Sequence, residues 1–103
     1  MSKKLIRGKF YIHNDENGGH PALIFEKNFK KNKYKAVKFT TKNGKRRTRL
    51  KHNINGNDDE PSYVHNYPVE SKRYMFSSKE LKGLKVHKDD KPLINKIKRK
   101  RKK

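Results

Sequence analysis

The chain has 103 residues, a length that suits one domain. Its formal net charge is +20, from 30 Lys and Arg against 10 Asp and Glu, and such an excess predicts a polyanionic partner. No stretch approaches the roughly 18 apolar residues of a membrane-spanning helix. There is no cysteine, which excludes disulfides and thiolate metal sites. These features predict a cytoplasmic protein with no membrane partner.

The positive charge is concentrated in two parts of the chain. Lys27 to Lys51 contains 12 basic residues and no acidic one, and seven of the eight residues from Lys96 to Lys103 are basic. A solvated surface normally mixes the two signs of charge. A long segment of one sign therefore favours binding to nucleic acid over a merely solvated face.

The first third of the chain is rich in strand signals. We expect residues 1–6 to form a flexible lead-in and residues 7–97 to form a single domain. Arg7 to His13 alternates in the manner of a strand, and Asn14 to Gly19 has the composition of a turn. The apolar run Ala22 to Phe25 then predicts a strand buried on both faces.

A basic hairpin is predicted next. Tyr34 to Thr41 is a strand, and Asn43-Gly44 is a two-residue hairpin turn. Thr48 and Leu50 lie on the returning strand, which gives the hairpin one cationic side. The predicted nucleic-acid-binding residues are the cations of this region: Lys38, Lys42, Lys45, Arg46, Arg47, Arg49 and Lys51.

The second half of the chain continues with strands and ends in a helix. Asn53 to Pro61 is a polar loop, and two strands follow on either side of a bend at Pro68. Ser77 and Glu80 have the spacing of a capping box, which predicts a short helix there. Asp89 or Asp90 is expected to cap a final helix.

That final helix has an apolar stripe formed by Leu93, Ile94 and Ile97, with Pro92 in its first turn. Residues 98–103 are expected to be a disordered basic tail. The whole pattern predicts a mainly β fold: a small, strongly curved sheet or barrel of about five or six strands with a C-terminal helix.

Two segments resemble the MazF/PemK family of toxins. They are Gly19 to Ile24 (GHPALI) and Ala36 to Thr41 (AVKFTT). The resemblance implies an SH3-like barrel that cleaves RNA without a metal or cofactor. It also implies a homodimer with RNA across the joint surface, and an antitoxin partner.

The resemblance implies two candidate catalytic residues. The family commonly has Arg before the proline of the second strand, and His20 stands there in this chain. It has Thr or Ser at the end of the third strand, and Thr40 or Thr41 fits. His20 is a candidate acid or base because a free imidazole titrates near neutral pH. Thr41 is a candidate donor of a hydrogen bond to a phosphate oxygen.

The remaining histidines are not expected to form a metal site. The five histidines lack the close spacing to carboxylates of a zinc motif. His52 and His87 lie among lysines and are expected to be solvated, and His65 is expected to be packed or on the surface.

Two functions remain open from the sequence. The first is a MazF/PemK-like, metal-independent endoribonuclease that binds RNA. The second is a non-catalytic protein on the same barrel, which binds RNA or DNA or acts as an accessory or inhibitor on a ribonucleoprotein.

Overall fold

Antiparallel strand pairing organises the fold of this chain. The computed structural model describes residues 4–16 and 18–100. Its elements, in chain order, are β1 (Phe10–Asp15), β2 (Gly18–Asn28), β3 (Lys33–Thr40), β4 (Arg47–Arg49), β5 (Tyr63–His65), β6 (Val69–Lys72), a 3₁₀ turn (Arg73–Met75), β7 (Phe76–Leu81) and α1 (Lys91–Lys98).

The strands lie in the order β4-β5-β3-β2-β1-β7, and β6 pairs with β3 beside this path. The expectation of a mainly β fold with a C-terminal helix is confirmed, with seven strands instead of five or six. No helix in the described part of the chain is long and apolar enough to cross a membrane.

Both faces of the central strands are buried, as predicted for Ala22 to Phe25. On one face, Leu23 and Val37 belong to a first hydrophobic cluster, which α1 covers with Ile94 and Ile97. On the other face, Ala22, Ile24 and Tyr34 belong to a second cluster, which Leu5 and Phe76 complete. Strand alternation places neighbouring residues in opposite clusters. Leu5 thus packs in the core, although it lies within the expected lead-in.

The predicted basic hairpin is wrong in its pairing. β4 pairs with β5, and β5 lies between β4 and β3. The positive φ falls at Arg46 (62°), where the chain turns into β4. The core explains this arrangement, because Val64 is fully buried between Phe39 and Thr48, its partners on the two flanking strands.

The predicted short helix at Ser77 is also wrong, since these residues form β7. β7 pairs with β1, with Leu81 opposite Phe10 and Glu80 opposite Tyr11. Phe76 fills the second cluster at the start of this strand. Pairing with the open edge of β1 therefore overrides the local capping signal.

The final helix is confirmed, but its expected cap has another role. Asp90 occupies the N-cap position without a capping hydrogen bond from its side chain. Its carboxylate instead accepts hydrogen bonds from the backbone N–H groups of Lys51 and His52, at 2.9 and 3.0 Å. Residues 1–3 of the lead-in and residues 101–103 of the expected tail lie outside the described residues.

Candidate functional site

The face of the sheet that carries the second cluster becomes polar toward one end. On β1, Tyr11 is followed on the same face by His13 and Asp15, and on β3, Ala36 is followed by Lys38. On β2, His20 precedes Ala22 on this face. The buried apolar surface therefore continues directly into a group of titratable side chains.

Strand register aligns these side chains across the sheet. His13 lies opposite His20 in the β1–β2 pair. Arg47 lies opposite His65, and Arg49 lies opposite Tyr63, in the β4–β5 pair. The same face thus carries three imidazoles flanked by two arginines.

A buried ion pair lies at the centre of this group. The Lys38 ammonium contacts the Asp15 carboxylate at 2.5 Å, and the Lys38 side chain is only 8 % exposed. Asp15 is also 3.9 Å from Nδ1 of His13. The positive charge of Lys38 is therefore close enough to the neighbouring imidazoles to affect their pKa values.

Burial and positive charge lower the pKa of all three histidines. Burial is the larger cause for His13 and for His20, and the Lys38 charge adds to it in both. Burial lowers the pKa of His65 to about 4, with Lys38 and Arg47 contributing. All three rings are therefore neutral at pH 7.

Each of the three rings has a buried nitrogen without a hydrogen-bond partner among the described residues. These atoms are Nδ1 of His13, Nδ1 of His20 and Nε2 of His65. The other nitrogen of His13 is 2.8 Å from the Ser71 hydroxyl. Buried polar atoms are normally paired, so three unpaired imidazole nitrogens in one place distinguish this cluster from ordinary core histidines.

A cleft of about 580 Å³ opens beside the cluster. This volume is in the ~300–1,000 Å³ range of small-ligand sites. His20, Thr41 and Arg47 contribute to one side, and the Asn53–Asn55 segment with Leu84 contributes to the other. The Arg47 guanidinium donates a hydrogen bond to the Lys42 carbonyl at 2.9 Å, which holds it at the rim.

The structure brings together four of the residues predicted from sequence. His20, Thr41, Lys42 and Arg47 all line the cleft. Lys38 is buried, with its ammonium on Asp15. The other predicted cations do not line the cleft. Lys45 and Arg46 are exposed in the connection before β4, and Arg49 is exposed on β4 opposite Tyr63. Lys51 is exposed beside Asp90.

Sequence reasoning missed His13, Asp15 and His65 as members of the site. A signal for the first was present, because the turn predicted at Asn14 to Gly19 pairs the residues on its two sides and so sets His13 opposite His20. No comparable local signal exists for His65. It reaches the site only because β5 lies beside β3.

A second group of titratable side chains lies apart from the cleft lining. His52, His87 and Asp89 place one possible metal-ligating atom each within 4.8 Å of one another. The two histidines were expected to be solvated among lysines, and their rings are stacked on one another with centroids 3.8 Å apart. His52 and His87 are 35 residues apart in sequence, so no short sequence motif contains both of them.

Comparisons of the chain with protein-family models, with curated proteins and with solved structures found no match. The resemblance to MazF/PemK toxins therefore stays a prediction from sequence.

Proposed function

We propose that this protein binds RNA at the cleft and cleaves it by attack of a 2′-hydroxyl on the adjacent phosphate. The observation that carries the proposal is the group of three neutral imidazoles, His13, His20 and His65, whose pKa values are lowered by burial and by the Lys38 charge, beside a basic cleft. Perturbed titratable groups gathered in a cleft are typical of functional sites. The net charge of +20 supports a polyanionic substrate.

Binding of the RNA backbone is assigned to the cations around the cleft. Lys42 and Arg47 line it, and Arg49 continues the basic surface along β4. An arginine fork suits phosphate oxygens. Tyr63, half-buried opposite Arg49, offers a ring on which a base can stack.

The chemistry is assigned to His20, the one imidazole of the three that lines the cleft. A neutral ring is able to take the proton of the 2′-hydroxyl as the oxygen attacks phosphorus. The bond from phosphorus to the 5′-oxygen breaks, that oxygen takes a proton from water, and His20 returns its proton to solvent. Arg47 and Thr41 stabilise the charge that develops on the phosphate oxygens.

The direct test is a cleavage assay on mixed-sequence RNA, run with and without a chelator. We expect products ending in a 2′,3′-cyclic phosphate, and no cleavage of the same sequence made with 2′-deoxyribose. His20→Ala and Thr41→Val reduce the rate, by about 100-fold or more for the base. Lys79→Ala, an exposed cation on β7, serves as the matched control. RNA left intact by the wild-type chain would contradict cleavage.

A non-catalytic nucleic-acid-binding role is the second candidate, and one observation favours it. The pKa of every imidazole in the site is lowered, so no protonated imidazole is available as an acid at neutral pH. This role predicts tight, salt-dependent binding of RNA or DNA without turnover. The homodimer, the antitoxin or ribonucleoprotein partner, and the cytoplasmic location remain proposals beside either function.

A further inference from the structure

The loop after β4 meets the segment before α1 at four titratable side chains. His52 and Asp58 come from the loop, and His87 and Asp89 come from the later segment. All four are partly open to solvent, with exposed side-chain fractions of 30 to 57 %. None of them lines the cleft of the proposed function.

Two distances in this group are close to the edge length of a tetrahedral metal site. Oδ2 of Asp89 is 3.2 Å from Nε2 of His52 and 3.6 Å from Nδ1 of His87. Zinc bonds of about 2.0–2.1 Å in tetrahedral geometry separate two ligand atoms by ~3.3 Å. An ion can bind between these three atoms once the two rings, stacked with an interplanar angle of 26°, turn so that their lone pairs converge on it.

Asp58 provides the carboxylate that commonly accepts a hydrogen bond from the second ring nitrogen of a metal-ligating histidine. It lies 3.0 Å from Nδ1 of His52, the nitrogen opposite the one that faces Asp89. A carboxylate in that position holds the proton on Nδ1, which leaves the Nε2 lone pair for the ion. Asp90 adds rigidity, since its carboxylate accepts the backbone N–H of His52.

Two hydrogen bonds must be given up for the ion to bind. Nε2 of His52 shares one with Oδ2 of Asp89 at 3.2 Å, and the backbone N–H of Asp89 donates the other to Nδ1 of His87 at 3.1 Å. Both bonds are exposed, so water can take the place of the partner that the Asp89 N–H loses.

We propose that His52, His87 and Asp89 bind a divalent transition-metal ion of the zinc class, with Asp58 as the outer carboxylate. Two imidazoles and one carboxylate are ligands that Zn²⁺ accepts, and a solvent molecule completes the tetrahedron. The ion cross-links two segments 35 residues apart in sequence. Since Asn53–Asn55 and Leu84 line the cleft, the cross-link also fixes that wall.

The test is a Zn²⁺ titration of the full chain after dialysis against a chelator, followed by calorimetry. We expect one ion per chain. Co²⁺ in place of Zn²⁺ should give the strong visible absorption of a tetrahedral site. His87→Ala and Asp89→Asn should weaken binding more than the roughly 10–100-fold expected for loss of the outer carboxylate in Asp58→Asn. Asp59→Asn, an exposed neighbouring carboxylate, is the matched control and should bind like wild type.

Two results would overturn the proposal: unchanged Zn²⁺ affinity in His87→Ala, or a wild-type Co²⁺ complex with the spectrum of the hydrated ion. Circular dichroism of each metal-free variant shows that it is folded, so loss of binding is not loss of structure. The readout is ion binding, which makes this outcome independent of whether the protein cleaves RNA.

Discussion

The Lys38 ammonium on β3 contacts the Asp15 carboxylate on β1, over the strand β2 that separates them. The Lys38 side chain is 8 % exposed and that of Asp15 is 20 % exposed. A buried cation is costly unless a carboxylate neutralises it. The pair therefore sets both the stability of this corner of the sheet and the electrostatic environment of the three imidazoles.

Replacing Asp15 with Asn should be strongly destabilising, because it leaves the Lys38 ammonium buried beside a neutral group. We expect a loss of about 3 kcal/mol in the free energy of unfolding, measured with urea. The double variant Asp15→Asn, Lys38→Met removes the buried charge altogether and should recover much of this loss. A double variant less stable than Asp15→Asn would show that the charge pair is not the cause.

The stability of the fold should fall in acid because of His65. Its pKa is lowered from 6.5 to about 4, so the unfolded chain binds a proton in this pH range that the folded chain does not. The contribution of His65 is fully present above pH 6.5 and is lost as the pH falls toward 4. A pKa difference of this size is equivalent to about 3 kcal/mol, and partial exposure of the ring reduces the expected value to about 1–2 kcal/mol.

The measurement is the free energy of unfolding of wild type and His65→Asn at several pH values between 4 and 7. Taking the difference between the two proteins cancels the other titrating groups. The difference should shrink or change sign as the pH falls. A difference that is constant over this range would contradict the assignment.

Removing the Asp90 carboxylate should destabilise the start of α1 and the chain after β4 together. Asp90→Ala leaves the N–H groups of Lys51 and His52 without their acceptor in a buried position. We expect a cost of about 2 kcal/mol in thermal or urea unfolding. Asp59→Ala, at an exposed position in the neighbouring loop, should change stability by less than about 0.5 kcal/mol.

Arg47 should contribute to the salt dependence of RNA binding. If its guanidinium binds one phosphate, Arg47→Gln lowers the slope of log affinity against log salt by about 1. Lys79→Gln, on β7 away from the cleft, should leave the slope unchanged. Fluorescence anisotropy with a 2′-deoxy analogue measures binding without cleavage. Equal slopes for Arg47→Gln and wild type would remove Arg47 from the interface.

Local sequence pattern predicted those elements whose apolar residues recur at a regular spacing along the chain. Alternation and turn composition located β1 and the turn after it, and the apolar stripe of Ile94 and Ile97 located α1. The burial of Ala22 to Ile24 on both faces followed from an uninterrupted apolar run. Such signals are strong because the spacing of apolar residues along the sequence already indicates which face of a strand or helix is buried.

Errors arose where a distant strand decided the pairing. Asn43-Gly44 has the composition of a hairpin turn, but β5 takes the place beside β3 that β4 was expected to occupy. The capping-box spacing at Ser77 was outweighed by the free edge of β1. The sequence could not predict that His65 joins the site or that His52 and His87 stack. These residues contact neighbours that are distant in the chain and are brought together only by the fold.

The divided pairing of β3 has a consequence for how the protein is made. Its first half, Lys33 to Ala36, pairs with β6, while Phe39 and Thr40 pair with β5, and both partners are synthesised later. The β1-β2-β3 meander can form early because its loops are short, but the later partners require closure of long loops, which is slow. A nascent chain that has been synthesised as far as β3 contains His13 and His20 but not β4, which carries Arg47 and Arg49. The cleft is therefore complete only after β4, β5 and Leu84 have been synthesised and have packed against the meander.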